Sequence, residues 1–371
     1  MAVSIAALDE SGLGEQRAAL TPPVVATLVN AGHSVAVESG LGAAASYDDH
    51  GYRDAGARVG DRAAALHGAD ILVTVGRPDE GTLAKLRPGQ VVVGLLDVWD
   101  QPEALAVHAS RGVRLIALER LPRQISRAQS MDVLSSQASI AGYRAAIVAA
   151  EQYGRYFPMM VTAAGTAKPA TVLVLGAGVA GLQAIATARR LGARVTGYDV
   201  RPAAREEVTS LGAAFLTTSV GDAAGEGGYA RALTDDEATQ QRRELSKAMA
   251  TFDIVITTAK VPGRTPPLLV LGDTVAAMRR GSVIVDLAAS DLGGNVAGVV
   301  PGERVVTDNG VVLIGAGTIA SDMAAAASDA YAKNIAAVLA AISNDGEVVI
   351  DPDDDVIGAM LFAPATEGVD A

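Results

Sequence analysis

Short β-branched and aliphatic runs alternate with stretches of helical periodicity along most of the chain. VSIAAL at 3–8 reads as a strand. Pro22 and Pro23 open a helix, TPPVVATLVNAG, that stops at Gly32, because proline is pre-set for a first helical turn and glycine for the residue after the last. HSVAVES (33–39) is the next strand, and GLGAAASYDDHGYRDAGA suits a glycine-rich turn running into a short helix. ADILVTVG (69–76), QVVVGLL (90–96) and VRLIAL (113–118) follow as strands, the last two separated by the helical EALAVHASRG. Near-continuous apolar runs are what strands covered on both faces require, so this stretch predicts a parallel sheet with helices on each side.

A long helical pattern covers residues 130–157, and PMMVTAAGTAKPA (158–170) reads as a linker. A second βα alternation starts at TVLVLG (171–176). It continues through RVTGYD (194–199), AAFLT (213–217), DIVITTA (253–259), SVIVDLA (282–288), RVVTD (304–308) and VVLIG (311–315). The helical AASDAYAKNIAAVLAAI (326–342) comes after the last of these strands and is expected to pack back on the first domain. The predicted organisation is a discontinuous first domain at 1–129 plus about 326–371, an interdomain helix and linker at 130–170, and a second domain at 171–325. A length of 371 residues suits two domains.

The apolar fraction of 50% raises the question of membrane spans, but a span needs about 20 consecutive apolar residues. Asp97 interrupts VVVGLLDVW, and Arg144 and Glu151 bracket AAIVAA, so none is expected despite a mean hydropathy of +0.28. The start, MAVSIAALDESG, lacks the pattern of a targeting peptide, which makes the cytoplasm the expected location. A net charge of −12 without a Lys/Arg stripe argues against nucleic acid as a partner. The absence of cysteine removes disulfides, thiolate metal sites and cysteine nucleophiles, and His33, His50, His67 and His108 have no zinc-ligand spacing. No Ser-His-Asp set or phosphate loop of the G-x-x-x-x-G-K-[ST] kind is present.

One segment carries specific chemistry. In TVLVLGAGVAGLQAIATARRLGARVTGYDVR, Gly176, Gly178 and Gly181 form G-x-G-x-x-G between an apolar strand and an Ala-rich helix, and Asp199 ends the next strand. Gly176 allows the tight turn, Gly178 lets backbone approach a pyrophosphate, and Gly181 permits close helix–strand packing. The helix N-terminus then offers N–H groups and a positive dipole end to phosphates. Asp199 is placed to accept from ribose hydroxyls, which favours NAD(H) over NADP(H), while Arg201 and Arg205 just beyond it would blunt that preference. The motif by itself gives a nucleotide site and no reaction. The fold class is therefore α/β, with two Rossmann-like doubly wound parallel-sheet domains and a cleft between them.

A second polar cluster, PRQISRAQSMDVLSSQ, brings Arg123, Arg127, Gln129, Ser130, Asp132 and Ser135 together ahead of the long helix. Helix capping and charge pairing explain such residues as readily as a cofactor contact does. A third segment, residues 217–252, holds a glycine-rich loop with Tyr229 as its aromatic residue; it suits a lid or an ordinary surface insertion. Thr234 and Glu237 form a capping box that starts the helix after it.

ISRAQSMD, LSSQ, AGYRA, FPMMVTAAGT, GVAGLQAIATARRLGA, YDVRP, AGEGGYAR, ITTA, VPG, SVIVDLA and GGN together resemble the NAD(H)-binding alpha component of the proton-translocating nicotinamide nucleotide transhydrogenases. The likeness extends from GEQRAALTP (14–22) to YAKNIAAVL (331–339) and is densest over 125–290. It implies a Re/Si-specific transhydrogenase subunit, active only with partners, that binds NADH and passes hydride to NADP+ on a separate component, coupled to proton movement through a membrane-spanning component. It further implies a homodimer held at the inner face of the cell membrane through partner proteins; a chain this acidic has no basic patch for anionic lipid.

Residue by residue, the resemblance assigns Arg127, Gln129, Ser130, Met131, Asp132 and Ser135 to the loop at the nicotinamide end. It assigns Gly176, Ala177, Gly178, Val179 and Gly181 to the pyrophosphate turn, Asp199, Val200 and Arg201 to the adenosine side, and Gly228 and Tyr229 to a mobile loop that closes over NAD(H). Gln124 is an extra residue against the family pattern P-R-I-S-R-A-Q, so Arg127 and Gln129 rank above Arg123. Lys260 stands where the family has an apolar residue. No catalytic acid, base, nucleophile or metal is expected, because hydride transfer between two nicotinamides needs chiefly positioning.

The sister family, alanine dehydrogenase, gives the alternative activity, and a non-catalytic NAD-binding relative gives a third. Amino-acid oxidation in the sister family uses a lysine and a histidine of the first domain; here the matching positions hold Thr74 and fall near Gly94.

Overall fold

The computed structural model describes residues 2–100, 102–219, 231, 233–261 and 263–363. The chain divides into two compact units, residues 1–137 with 321–371, and residues 138–320. Both are built on seven-stranded, mainly parallel sheets.

In the first unit the strands lie in the order Leu361–Phe362, Arg114–Ala117, Val91–Gly94, Ile71–Val73, Ser4–Ala7, Ser34–Glu38, Arg58–Gly60. All pair in parallel except Leu361–Phe362, which runs antiparallel along Arg114–Ala117. Successive side chains of a strand point to opposite faces, so each apolar run feeds two cores. Ile5, Ile71, Val73, Val91, Val93 and Ile116 join Tyr331, Ile335 and Leu339 of the helix Ala324–Ile342 on one face. Leu72, Val92 and Leu115 join Leu83 and Leu105 on the other. Each fully buried aliphatic side chain contributes about 1.5–3 kcal/mol. Asp48, Asp61 and Asp79 cap three short helices by accepting first-turn N–H groups.

The second unit repeats the plan in the order Ala214–Phe215, Arg194–Tyr198, Thr171–Leu175, Ile254–Thr257, Val283–Asp286, Val312–Gly315, Arg304–Val306, with only the last pair antiparallel. Val172, Val174, Ile254, Ile256, Val283 and Val285 face Ala184, Ile185 and Ala188 of the helix Val179–Arg190. Leu173, Leu175, Val255 and Ile284 face Leu245 and Met249 of the helix Asp235–Met249. That helix begins at a complete capping box between Thr234 and Glu237. The winding reverses between Thr171–Leu175 and Ile254–Thr257, and such a reversal opens a crevice at the carboxyl ends of the strands.

Three elements differ from expectation. Residues 158–170 are not a plain linker: Met160–Thr162 and Gly165–Ala167 form an antiparallel hairpin, closed by Gly165 at φ 122°. Its Val161–Thr162 core is β-prone, and the tight turn between its strands needs glycine. The stretch before the long helix is a 3-10 helix, Ser126–Met131, and the α-helix proper is Val133–Gln152, shorter than the periodic 130–157. The strand Leu361–Phe362 lies beyond the regular alternation. Its partner Arg114–Ala117 was an open edge that only a returning chain could cover.

Candidate nucleotide-binding site

The glycine motif sits where the second sheet reverses its winding. Gly176 follows the strand Thr171–Leu175 with φ 98°, a conformation side chains rarely adopt, and an added Cβ would lie 2.5 Å from Thr258 Oγ1. At Gly181 a Cβ would lie 1.8 Å from the Gly176 carbonyl oxygen, so only glycine lets the helix start this close to the turn. Gly178 is the opposite case. It is exposed, has φ −77°, and nothing lies within 4 Å of where its Cβ would be. It is the N-cap of the helix Val179–Arg190 and brings no side-chain cap. The first-turn N–H groups therefore face open space, the cradle a pyrophosphate requires.

Thr258, at the end of the neighbouring strand, donates to the Gly176 carbonyl at 3.0 Å and fixes the turn from beside it. Asp199 fixes it from the other side: its Oδ2 accepts the Ala177 N–H at 2.8 Å. Arg201 donates to the same carboxylate from its backbone N–H at 2.9 Å, from Nε at 3.0 Å and from Nη2 at 2.8 Å. Burial opposes ionisation of Asp199, but the Arg201 bonds and charge and the two backbone N–H groups outweigh it, so its carboxyl lies below the ordinary range. The structure thus brings Gly176, Ala177, Gly178, Gly181, Asp199 and Arg201 into one network. Val179 is exposed at the helix start and Val200 packs against the core beneath.

Further along the same sheet edge, Asp286 is fully buried and accepts from Thr257 Oγ1 (2.8 Å) and from the N–H groups of Ala288 (2.9 Å) and Asn295 (2.8 Å). Asn295 in turn bonds both backbone groups of Ala259, at 3.0 and 2.9 Å. This holds the loop that carries Lys260, whose side chain is exposed. Thr258, Asp286 and Asn295 escape a motif search because they lie in three separate segments; the only signal is that each directly follows or ends an apolar strand.

In the first unit, Arg123 Nε donates to Asp132 Oδ2 at 2.9 Å and its Nη2 to Ser135 Oγ at 2.5 Å; Ser135 Oγ donates to Asp132 Oδ2 at 2.7 Å and its N–H to Oδ1 at 2.8 Å. Burial opposes ionisation of Asp132, and the Ser135 and Arg123 bonds overcome it, so its carboxyl lies below the ordinary range. Arg127 is turned away from this group and donates to Asp354 at 2.8 Å and to Asp355. The geometry differs here from the sequence ranking. Gln124 occupies an exposed place in a turn closed by the Ile125 N–H on the Pro122 carbonyl at 3.0 Å, so the extra residue is absorbed and Arg123 reaches Asp132. Gln129 and Ser130 are exposed, while Met131 is buried in the core. Gly228 and Tyr229 lie outside the described residues. No group of three potential metal ligands occurs among the described residues.

Where an alanine dehydrogenase needs a lysine, Thr74 is 1% exposed, and an added Cβ at Gly94 would lie 2.4 Å from its hydroxyl oxygen. Neither position offers an acid or base.

Comparison with known proteins agrees with this anatomy. The description "Alanine dehydrogenase/PNT, N-terminal domain" matches residues 6–141, and "Alanine dehydrogenase/PNT, C-terminal domain" matches residues 145–368. NAD(P) transhydrogenase subunit alpha of Cereibacter sphaeroides is 43% identical over 96% of this chain and 71% of its own length. An NAD(P) transhydrogenase subunit alpha chain of Rickettsia prowazekii is 41% identical over 97% of this chain and 94% of its own length. Among solved structures, a transhydrogenase from Sinorhizobium meliloti superposes with a TM-score of 0.86 at 42% identity, covering 96% of this chain and 97% of that one. An L-alanine dehydrogenase shares the fold at a TM-score of 0.80 with 26% identity, over 98% and 96%. With both domains matched and this identity to the transhydrogenase subunits, the chain belongs to the alanine dehydrogenase/PNT family, among the NAD(P) transhydrogenase alpha subunits.

Proposed function

We propose that this chain is the NAD(H)-binding subunit of a proton-translocating transhydrogenase, and that it passes hydride from NADH to NADP+ carried by a partner component. The observation that carries the reading is the glycine turn at Gly176, Gly178 and Gly181, locked by Thr258 and Asp199, with an uncapped helix N-terminus opening onto free space. Those residues fit a dinucleotide: the N–H groups of the first helical turn take the pyrophosphate, and the remaining acceptor capacity of Asp199 takes ribose hydroxyls. Arg201, held by Asp199, faces the same side. In the first unit, Arg123, Asp132 and Ser135 with the exposed Gln129 receive the nicotinamide end; the mutual bonding of the first three favours Arg123 over Arg127 for this task.

The bound nicotinamide supplies the hydride. The chain's own residues bind, orient and exclude water, and no side chain needs to move a proton. Thr74 and Gly94, with no acid or base between them, weigh against amino-acid oxidation.

No described helix is long and apolar enough to cross a membrane, which accords with proton movement through a separate membrane-spanning partner and a peripheral position at the cytoplasmic face. The hairpin Met160–Thr162 and Gly165–Ala167 leaves Met159 62% and Val161 72% exposed, an apolar surface suited to contact with a second copy in a homodimer.

Mixed with an NADP(H)-binding transhydrogenase component, the protein is expected to transfer hydride between NADH and an NADP+ analogue, and to show no alanine-dependent reduction of NAD+. A mixture that binds both nucleotides yet transfers nothing would overturn the proposal.

A further inference from the structure

Asn334 is a buried polar residue, 9% exposed, on the helix Ala324–Ile342, among the core residues Tyr331, Ile335 and Val338. An amide in such a place is costly unless both of its ends are bonded. Both are. Nδ2 donates to the Ser130 carbonyl at 2.7 Å, and Oδ1 accepts from Ser136 Oγ at 2.7 Å. The two partners bracket residues 131–135, which carry Asp132 and Ser135, the pair that holds Arg123. One side chain therefore pins both ends of the polar segment. The Asn334–Ser130 bond joins residues 204 apart in sequence.

A second tether joins the same two parts of the chain: Arg127 to Asp354 and Asp355. It is half-exposed, and ion pairs of that kind contribute little. The buried amide is the stronger hold.

We propose that Asn334 is a positioning residue: by fixing residues 130 and 136 it sets the geometry of Asp132, Ser135 and Arg123, and through them the affinity for the nicotinamide half of the dinucleotide. This rests on the reading that the segment receives the nicotinamide end. A side chain needed only for packing at this point of the helix could be leucine or isoleucine, as its neighbours are.

Asn334→Asp tests the idea, because it is isosteric. It keeps an acceptor for Ser136 and replaces the donor to the Ser130 carbonyl with a repelling oxygen. Binding of NADH and of ADP-ribose, which lacks the nicotinamide, is titrated on the full chain. NADH affinity is expected to fall about tenfold, the loss of one buried hydrogen bond, with ADP-ribose affinity unchanged. Ser136→Ala, a milder change that keeps the fold if Asn334→Asp does not, is expected to shift the same ratio about threefold, on the scale of a weaker single bond. Equal loss for both ligands would mean a merely structural role, and no loss would mean no role; either overturns the proposal. Asp132→Ala in parallel separates the two readings. If it leaves the NADH to ADP-ribose ratio unchanged, the segment is not the nicotinamide site; if it shifts the ratio and the Asn334 variant does not, only the role of Asn334 fails.

Discussion

The Asp199 carboxylate accepts the Ala177 backbone N–H at 2.8 Å, so the acid that ends one strand is bonded to the glycine turn that follows its neighbour. Sequence position alone makes Asp199 a partner for a ribose. The structure gives it a second task, shaping the turn, and a third, holding Arg201 through both oxygens.

Replacing Asp199 with Ala removes all three. NADH affinity is expected to fall 10- to 100-fold, about 1.4–3 kcal/mol, while nicotinamide mononucleotide, which lacks the adenosine, weakens far less. Fluorescence titration with both ligands checks this; equal weakening of the two would remove Asp199 from the adenosine side.

Gly178 and Gly181 separate binding from folding. Gly181→Ala puts a Cβ 1.8 Å from the Gly176 carbonyl oxygen and is expected to lower stability by about 1–3 kcal/mol, visible as a shifted urea midpoint. Gly178→Ala meets nothing within 4 Å and should leave that midpoint in place while weakening NADH, since its methyl group occupies the space a pyrophosphate needs. A Gly178→Ala protein that binds NADH as the parent does would show that the turn is not the phosphate site.

The two arginines of the polar segment make opposite predictions. Arg123→Ala breaks the bonds to Asp132 and Ser135 and is expected to weaken NADH about tenfold or more. Arg127→Ala loses an exposed pair with Asp354 and Asp355, worth about 0–1 kcal/mol, so its NADH affinity should change by less than about fivefold. Side-by-side titration decides between them; a larger loss for Arg127→Ala would restore the ranking read from sequence.

Glu10 supplies a pH dependence. Burial pushes its carboxyl from 4.5 up to about 7, although Val75 and Gly76 each donate an N–H to it. Between those two values the native chain holds a proton that the unfolded chain has released. Stability therefore falls as pH rises through this window, by roughly 3 kcal/mol in all, with the loss complete above about pH 7. Asp132 and Asp199, whose carboxyls are lowered, act in the opposite sense and only below the usual carboxylate range, where stability falls as pH falls. Urea midpoints at pH 5, 6, 7 and 8 should show the decline, and Glu10→Gln should flatten it. An unchanged slope in that variant would assign the effect to another group.

Local pattern determined much of this protein. The two alternations of strand and helix, the glycine turn with its acid, the Thr234 capping box and the absence of a Lys and His at the Thr74 and Gly94 positions are all legible in sequence. Each depends on side-chain period, on the backbone conformations glycine permits, or on residue identity within a few positions. The tertiary structure decided the rest. That Arg123 and not Arg127 joins Asp132, that Asn334 pins residues 130 and 136, that Thr258 and Asp286 support the turn and its neighbouring loop, and that Leu361–Phe362 closes the first sheet are set by where the chain returns. Arg120 and Leu361, bonded where that sheet closes, are 241 residues apart. Hydrophobic periodicity fixes which face a residue takes; which distant polar group it meets follows only once the sheets and the returning helix are packed.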